Sequence, residues 1–92
     1  MAQAHVRHIL VKDEAQCQLL MQEIQNGEDF GMLAFEHSLC PSKTKGGDLG
    51  DFSQGRMVKE FDEAVFSADV GSLCGPIKTE FGYHLFEVLH RF

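Results

Sequence analysis

Residues 3–12 are rich in strand formers, and apolar groups fall on both alternating faces. Ala4, Val6, His8 and Leu10 share one face; His5, Arg7, Ile9 and Val11 share the other. Such a strand is expected to be covered on both sides. Cys17, Leu20, Met21 and Ile24 then recur at helical spacing. Asp13 is placed as the N-cap of this helix, Gln16 as its capping-box partner and Gly27 as its stop. A second helix is predicted from about Asp29, with Phe30, Leu33, Ala34 and His37 on one stripe.

Residues 39–56 lose this periodicity. Pro41, Gly46, Gly47 and Gly50 interrupt them, so they read as a long loop with a short extended segment around Leu49 and Phe52. A loop of this length in a small domain is usually functional. Met57, Phe61, Ala64, Val65 and Ala68 mark a third helix, closed off by Gly71. A strand is predicted from Gly75-Pro76 to about Thr79, a turn at Phe81-Gly82, and a last strand over 83–90 with His84, Phe86, Val88 and His90 on one face. Strands at both ends with helices grouped between them predict an α+β fold, with the first strand paired to the last.

Ninety-two residues, 43% hydrophobic and 24% charged, suit one soluble domain over 1–92. A net charge of −6 argues against nucleic acid as the partner. Lys43, Lys45, Arg56 and Lys59 are a local exception, read either as solvated loop charge or as a rim that holds a peptide backbone or an acidic side chain. No window is long and apolar enough for a membrane, and the start shows no export signal, so a cytoplasmic location is expected. Cys17, Cys40 and Cys74 form neither a disulfide framework nor a zinc pattern and fit a reducing compartment. Cys17 lies on an apolar helix stripe and reads as core; Cys74 is placed in a loop before Gly75-Pro76.

His8 and His84 lie on strands from opposite ends of the chain. Pairing of those strands would bring two imidazoles together, with the Thr79 hydroxyl as a third member of a hydrogen-bonded set. A histidine on an apolar strand is more often a hydrogen-bonded core residue than a catalyst, and a second one shifts that balance only a little. Met57, Phe61 and Phe81, with Leu49 beside them, read either as core or as an adaptable apolar slot for a small ring. Cys40 is a candidate nucleophile, although no oxyanion hole or orienting carboxylate accompanies it. A zinc site through His8, Cys40 and His84 lacks further ligands, and there is no HExxH pair. Together these groups point to chemistry on an uncharged group such as a peptide bond, without metal or cofactor.

At this point the chain resembles the parvulins, small peptidyl-prolyl cis-trans isomerases, and most of all the single-domain bacterial kind. The matching segments are His8-Ile9-Leu10-Val11-Lys12, Phe30-Gly31-Met32-Leu33-Ala34 with Ser38, Gly46-Gly47-Asp48-Leu49-Gly50, Gln54-Gly55-Arg56-Met57-Val58, Phe61-Asp62-Glu63-Ala64-Val65-Phe66, and Gly75-Pro76 through Phe81-Gly82-Tyr83-His84. They cover nearly the whole chain in the family's order. The resemblance implies a small, mostly antiparallel four-stranded sheet surrounded by helices. It implies rotation about X–Pro bonds; the apolar pocket and acidic surface suggest unfolded or nascent chains as substrates, and nothing in the sequence demands more than a monomer. It assigns His8, Cys40, Thr79 and His84 to the catalytic set and Leu49, Met57, Phe61, Phe81 and Tyr83 to the substrate pocket. A noncatalytic peptide-binding or chaperone module on the same scaffold is the alternative. Phosphoserine-specific members carry a basic loop after the first strand; here Lys12 is followed at once by Asp13 and Glu14, so independence from phosphorylation is expected.

Overall fold

The computed structural model describes residues 2–92. The chain runs β1 (Gln3–Val11), α1 (Glu14–Gln25), α2 (Phe30–His37), a short 3-10 turn (Pro41–Lys45), β2 (Asp48–Ser53), α3 (Lys59–Ser67), β3 (Leu73–Thr79) and β4 (Gly82–Arg91). The four strands form one antiparallel sheet in the order β2-β1-β4-β3, so the two terminal strands are its centre. The α+β class and the β1–β4 pairing are as expected.

The two-faced pattern of β1 has a direct structural cause. Ile9 and Val11 pack with Leu85 of β4 against Cys17 and Leu20 of α1 and Phe30, Leu33 and Ala34 of α2. Ala4 and Val6 pack on the opposite face with Phe86 and Val88 against Phe61 and Val65 of α3. The sheet is thus the middle of three layers, and each face supplies one apolar cluster. Full burial of side chains such as Phe86, Ile9 and Leu85 contributes roughly 1.5–3 kcal/mol each.

Several local expectations need correction. Asp13 does cap α1, but its side chain makes no capping hydrogen bond, so no capping box forms with Gln16. Asp29 caps α2 fully, accepting from the Met32 amide at 2.9 Å. The stretch 39–56 is not mainly loop, because the 3-10 turn and β2 occupy most of it. Cys74 lies inside β3, half-buried against the α3-side cluster, because β3 begins two residues before Gly75. Burial, and secondarily Asp69, pushes its thiol pKa up. Gly75-Pro76, a cis bond, falls in the register shift between Cys74 and Ile77. A bulge at Leu89 breaks the alternation of β4, so His90 is exposed, its ring 4.8 Å from that of Phe92.

Gly47 fixes how β2 meets β1. It has φ +87, and a Cβ there would collide with the His8 carbonyl oxygen. Its own carbonyl accepts from the His8 amide at 2.9 Å. The chain therefore passes directly against His8 just before Leu49, which ties the position of Leu49 to that of the histidine.

Candidate active site

His8 on β1 and His84 on β4 are both buried, on the α3 side of the sheet. Their register is staggered, Leu10 standing opposite His84 and His8 opposite Phe86. The stagger lets the rings stack, with centroids 5.3 Å apart at 16°, and leaves Nδ1 of each 3.2 Å from Nδ1 of the other. His84 Nε2 lies 2.8 Å from Thr79 Oγ1, and that oxygen accepts from the Phe81 amide at 3.2 Å. The hairpin makes this possible: a two-residue turn, Glu80-Phe81, folds Thr79 back beside His84.

Counting donors leaves two proton orders for this chain of neutral rings. Thr79 Oγ1–H can donate to His84 Nε2 and His84 Nδ1–H to His8 Nδ1, which puts the last proton on His8 Nε2. In the reverse order His8 Nδ1–H donates to His84 Nδ1 and His84 Nε2–H to Thr79 Oγ1. His8 Nε2 is buried without a partner among the described residues. An orphaned buried polar atom costs about 1–3 kcal/mol, the kind of cost retained where a site needs the group. Burial, and then the neighbouring His84, push His8 down to about 4. Burial lowers His84 as well. Both imidazoles are therefore neutral at pH 7.

Above this pair opens a cavity of about 370 Å³, whose walls are almost wholly apolar. Phe61 of α3 stands at its base, 5.5 Å from the His8 ring and 5.1 Å from that of His84. Leu49 comes from β2, Met57 from the lead-in to α3, and Cys40 from the link after α2. Phe81, at the hairpin tip, is 52% exposed and forms the outer lip. A ring bound in the cavity would cover it.

The structure brings His8, Cys40, Leu49, Met57, Phe61, Phe81 and His84 to one cavity. Thr79 is not on the wall but hydrogen-bonds His84 behind it. Tyr83 is a correction: it does not line the cavity but packs against the α1/α2 cluster. Adjacent residues on a strand point to opposite faces, so the neighbour of His84 must leave the site. Leu10, Leu39, Pro41 and Val58 also line the cavity and were not expected there. Leu10 alternates with His8 on the predicted face of β1, which was the available signal for it. Cys17, by contrast, is core as expected, its thiol raised to about 11 by burial and secondarily by Glu14. Among the described residues no cluster of three metal-ligating side chains occurs.

Comparison with known proteins gives a consistent set of likenesses. The family model for the PPIC-type PPIase domain matches residues 1–91. The foldase protein PrsA 4 of Bacillus cereus is 46% identical over 87 residues, covering 94% of this chain and 31% of that protein. The chain thus spans about a third of the length of the curated relatives it matches. The crystal structure of the peptidylprolyl isomerase PrsA of Bacillus anthracis superposes with a TM-score of 0.96 at 33% identity, over 99% of this chain and 42% of that one. The solution structure of the parvulin of Nitrosopumilus maritimus gives 0.88 at 40% identity, over 98% of both chains.

Proposed function

The chain belongs to the family of PPIC-type peptidyl-prolyl cis-trans isomerase domains, and from that membership we propose that its cavity binds a proline ring and catalyses rotation about the X–Pro bond. The observation that carries this reading is the apolar slot walled by Met57, Phe61, Phe81 and Leu49 over a neutral imidazole pair. The substrates are proline-containing segments of unfolded or nascent polypeptides, and the unit acts as a monomer.

Rotation faces a barrier of roughly 18–20 kcal/mol because the twisted amide loses its resonance. No bond breaks. In the twisted state the nitrogen is pyramidal and the carbonyl dipole smaller, so an apolar, water-excluding slot favours it over the planar ground state. Met57, Phe61 and Phe81 hold the ring while the carbonyl side turns. Charged imidazoles below the ring would stabilise the more polar planar form; burial keeps them neutral. Thr79 positions His84, and His84 positions His8. Cys40 flanks the turning carbonyl and does not attack it.

A protease-coupled or exchange-NMR assay on an Ala-Leu-Pro-Phe peptide tests this. Wild type is expected to accelerate exchange, and Met57→Ala to lose about tenfold in kcat/KM through a looser ring grip. Cys40→Ser and Cys40→Asp should keep measurable turnover. Peptide binding without acceleration would instead favour a noncatalytic chaperone module, and complete loss in both folded Cys40 variants would point to a covalent route.

Phosphorylation ahead of proline is expected to give no benefit. The segment that follows β1 is Lys12-Asp13-Glu14, all exposed, so a phosphate there meets two carboxylates beside one lysine. Kd values for phosphoserine-proline and serine-proline peptides should agree within about threefold. A tenfold advantage for the phosphopeptide overturns the expectation.

A further inference from the structure

The slot has a neighbouring cavity. About 420 Å³ of space lies on the far side of Leu49 and Met57, which line both cavities. Its other walls include Phe52, Ser53 and two charged residues, Asp51 and Arg56. Where the slot is apolar, this second space is polar, and the two share Leu49 and Met57 in their walls.

Its two charges are not equivalent. Asp51 Oδ1 lies 3.5 Å from His5 Nδ1, an ion pair only when that ring is protonated, while His5 Nε2 lies 2.7 Å from Asp48 Oδ1. Arg56 is exposed and makes neither an ion pair nor a side-chain hydrogen bond among the described residues. Of the four mid-chain cations singled out in the sequence, Lys43, Lys45 and Lys59 line neither cavity. Arg56 alone stands at one, and it directly precedes Met57, a wall of the proline slot.

We propose that this cavity is a subsite for the substrate residue adjoining the proline, and that Arg56 makes it select a carboxylate side chain there over an ammonium. The inference rests on the proline-slot reading. Consecutive residues of an extended chain are about 3.3–3.6 Å apart, so the neighbour of a proline held against Met57 stands within a side chain's reach of Arg56. A guanidinium offers a planar fork that matches a carboxylate with two parallel hydrogen bonds. The pair remains partly solvated, so its effect is modest and falls with added salt. The global charge of −6 would by itself favour a lysine-bearing peptide. A preference for glutamate therefore isolates the local effect of Arg56.

The experiment uses two peptide sets, one with Xaa before and one with Xaa after the proline, where Xaa is Glu, Gln or Lys. Kd is read by NMR titration at low salt. Wild type is expected to bind the Glu peptide about three- to tenfold more tightly than the Lys peptide in one of the sets, with the ratio shrinking at high salt. Arg56→Gln should bring the ratio to about one, Arg56→Glu should invert it, and Asp51→Asn should widen it. No discrimination by wild type in either set, or a preference that survives Arg56→Glu, overturns the proposal. Turnover of the Gln peptides is a separate readout: its absence sinks the isomerase reading, while the Kd ratios still decide the subsite.

Discussion

Phe61→Ala is expected to remove nearly all isomerase turnover and to lower stability by about 3–5 kcal/mol. The two losses have one origin. Phe61 is only 3% exposed, and one side of its ring packs in the α3-side core, 5.3 Å from Phe86. The other side meets both imidazoles and closes the base of the slot. Truncation to alanine leaves a void that joins the slot to the core, so the proline ring loses its seat and water gains access to the histidines. Water beside His8 and His84 would ease their protonation and raise the polarity that the twisted amide has to tolerate. A domain of this size holds about 5–15 kcal/mol in total, so the alanine variant is expected near the edge of folding. Phe61→Leu separates the effects, because it keeps most of the core volume and should cost only about 1–2 kcal/mol while still losing the flat ring wall. Urea denaturation reads the first loss, and the peptide assay on folded protein reads the second. A folded Phe61→Leu variant with turnover within twofold of wild type would remove Phe61 from the slot.

How much of this was legible beforehand depended on whether a property is local. The two-faced pattern of β1 is written in consecutive residues, Ala4 and Val6 against Ile9 and Val11, and it correctly foretold layers on both sides of the sheet. Thr79 and His84 could be joined because a two-residue hairpin leaves little freedom in where they meet. Tyr83 was placed in the pocket by family likeness, although strand alternation beside His84 already spoke against it. The extended segment at Leu49 was visible only as a break in a loop. Its pairing with β1 requires Gly47 to pass against the His8 carbonyl, a long-range contact that no local pattern encodes. Leu39, Pro41 and Val58 escaped for the same reason, since they reach the cavity from connecting segments whose paths are set by tertiary packing. The cavity around Arg56 likewise depends on β1, β2 and the lead-in to α3 coming together.

The buried histidine pair also dictates a pH signature. His8 is held at about 4 in the fold, against 6.5 in the free side chain. Above pH 6.5 both the folded and unfolded chains carry it neutral, and its contribution to stability is fully present. As pH falls from 6.5 towards 4, the unfolded chain takes up a proton that the folded chain refuses, so stability is lost across that window. A difference of this size corresponds to about 3 kcal/mol once pH reaches 4, with most of it already gone at pH 4.5. His84 is lowered by burial too, so its contribution has the same sign and adds to the loss. Asp48 behaves differently. Burial raises its pKa, but the Gly50 amide at 2.7 Å and the His5 ring outweigh this and leave it net lowered, so its own loss comes only below the ordinary carboxylate range. Urea denaturation at pH 7, 5.5 and 4.5 should therefore show a fall of about 2–3 kcal/mol before carboxylate titration dominates. In His8→Gln the His8 share of that dependence should vanish, leaving the part that His84 contributes, even though the variant is less stable at pH 7. Turnover should stay level from pH 8 to 7, because both imidazoles are neutral there. A wild type whose stability is flat between pH 7 and 4.5 would mean that water reaches the pair. The apolar floor on which the rotation mechanism depends would then be absent.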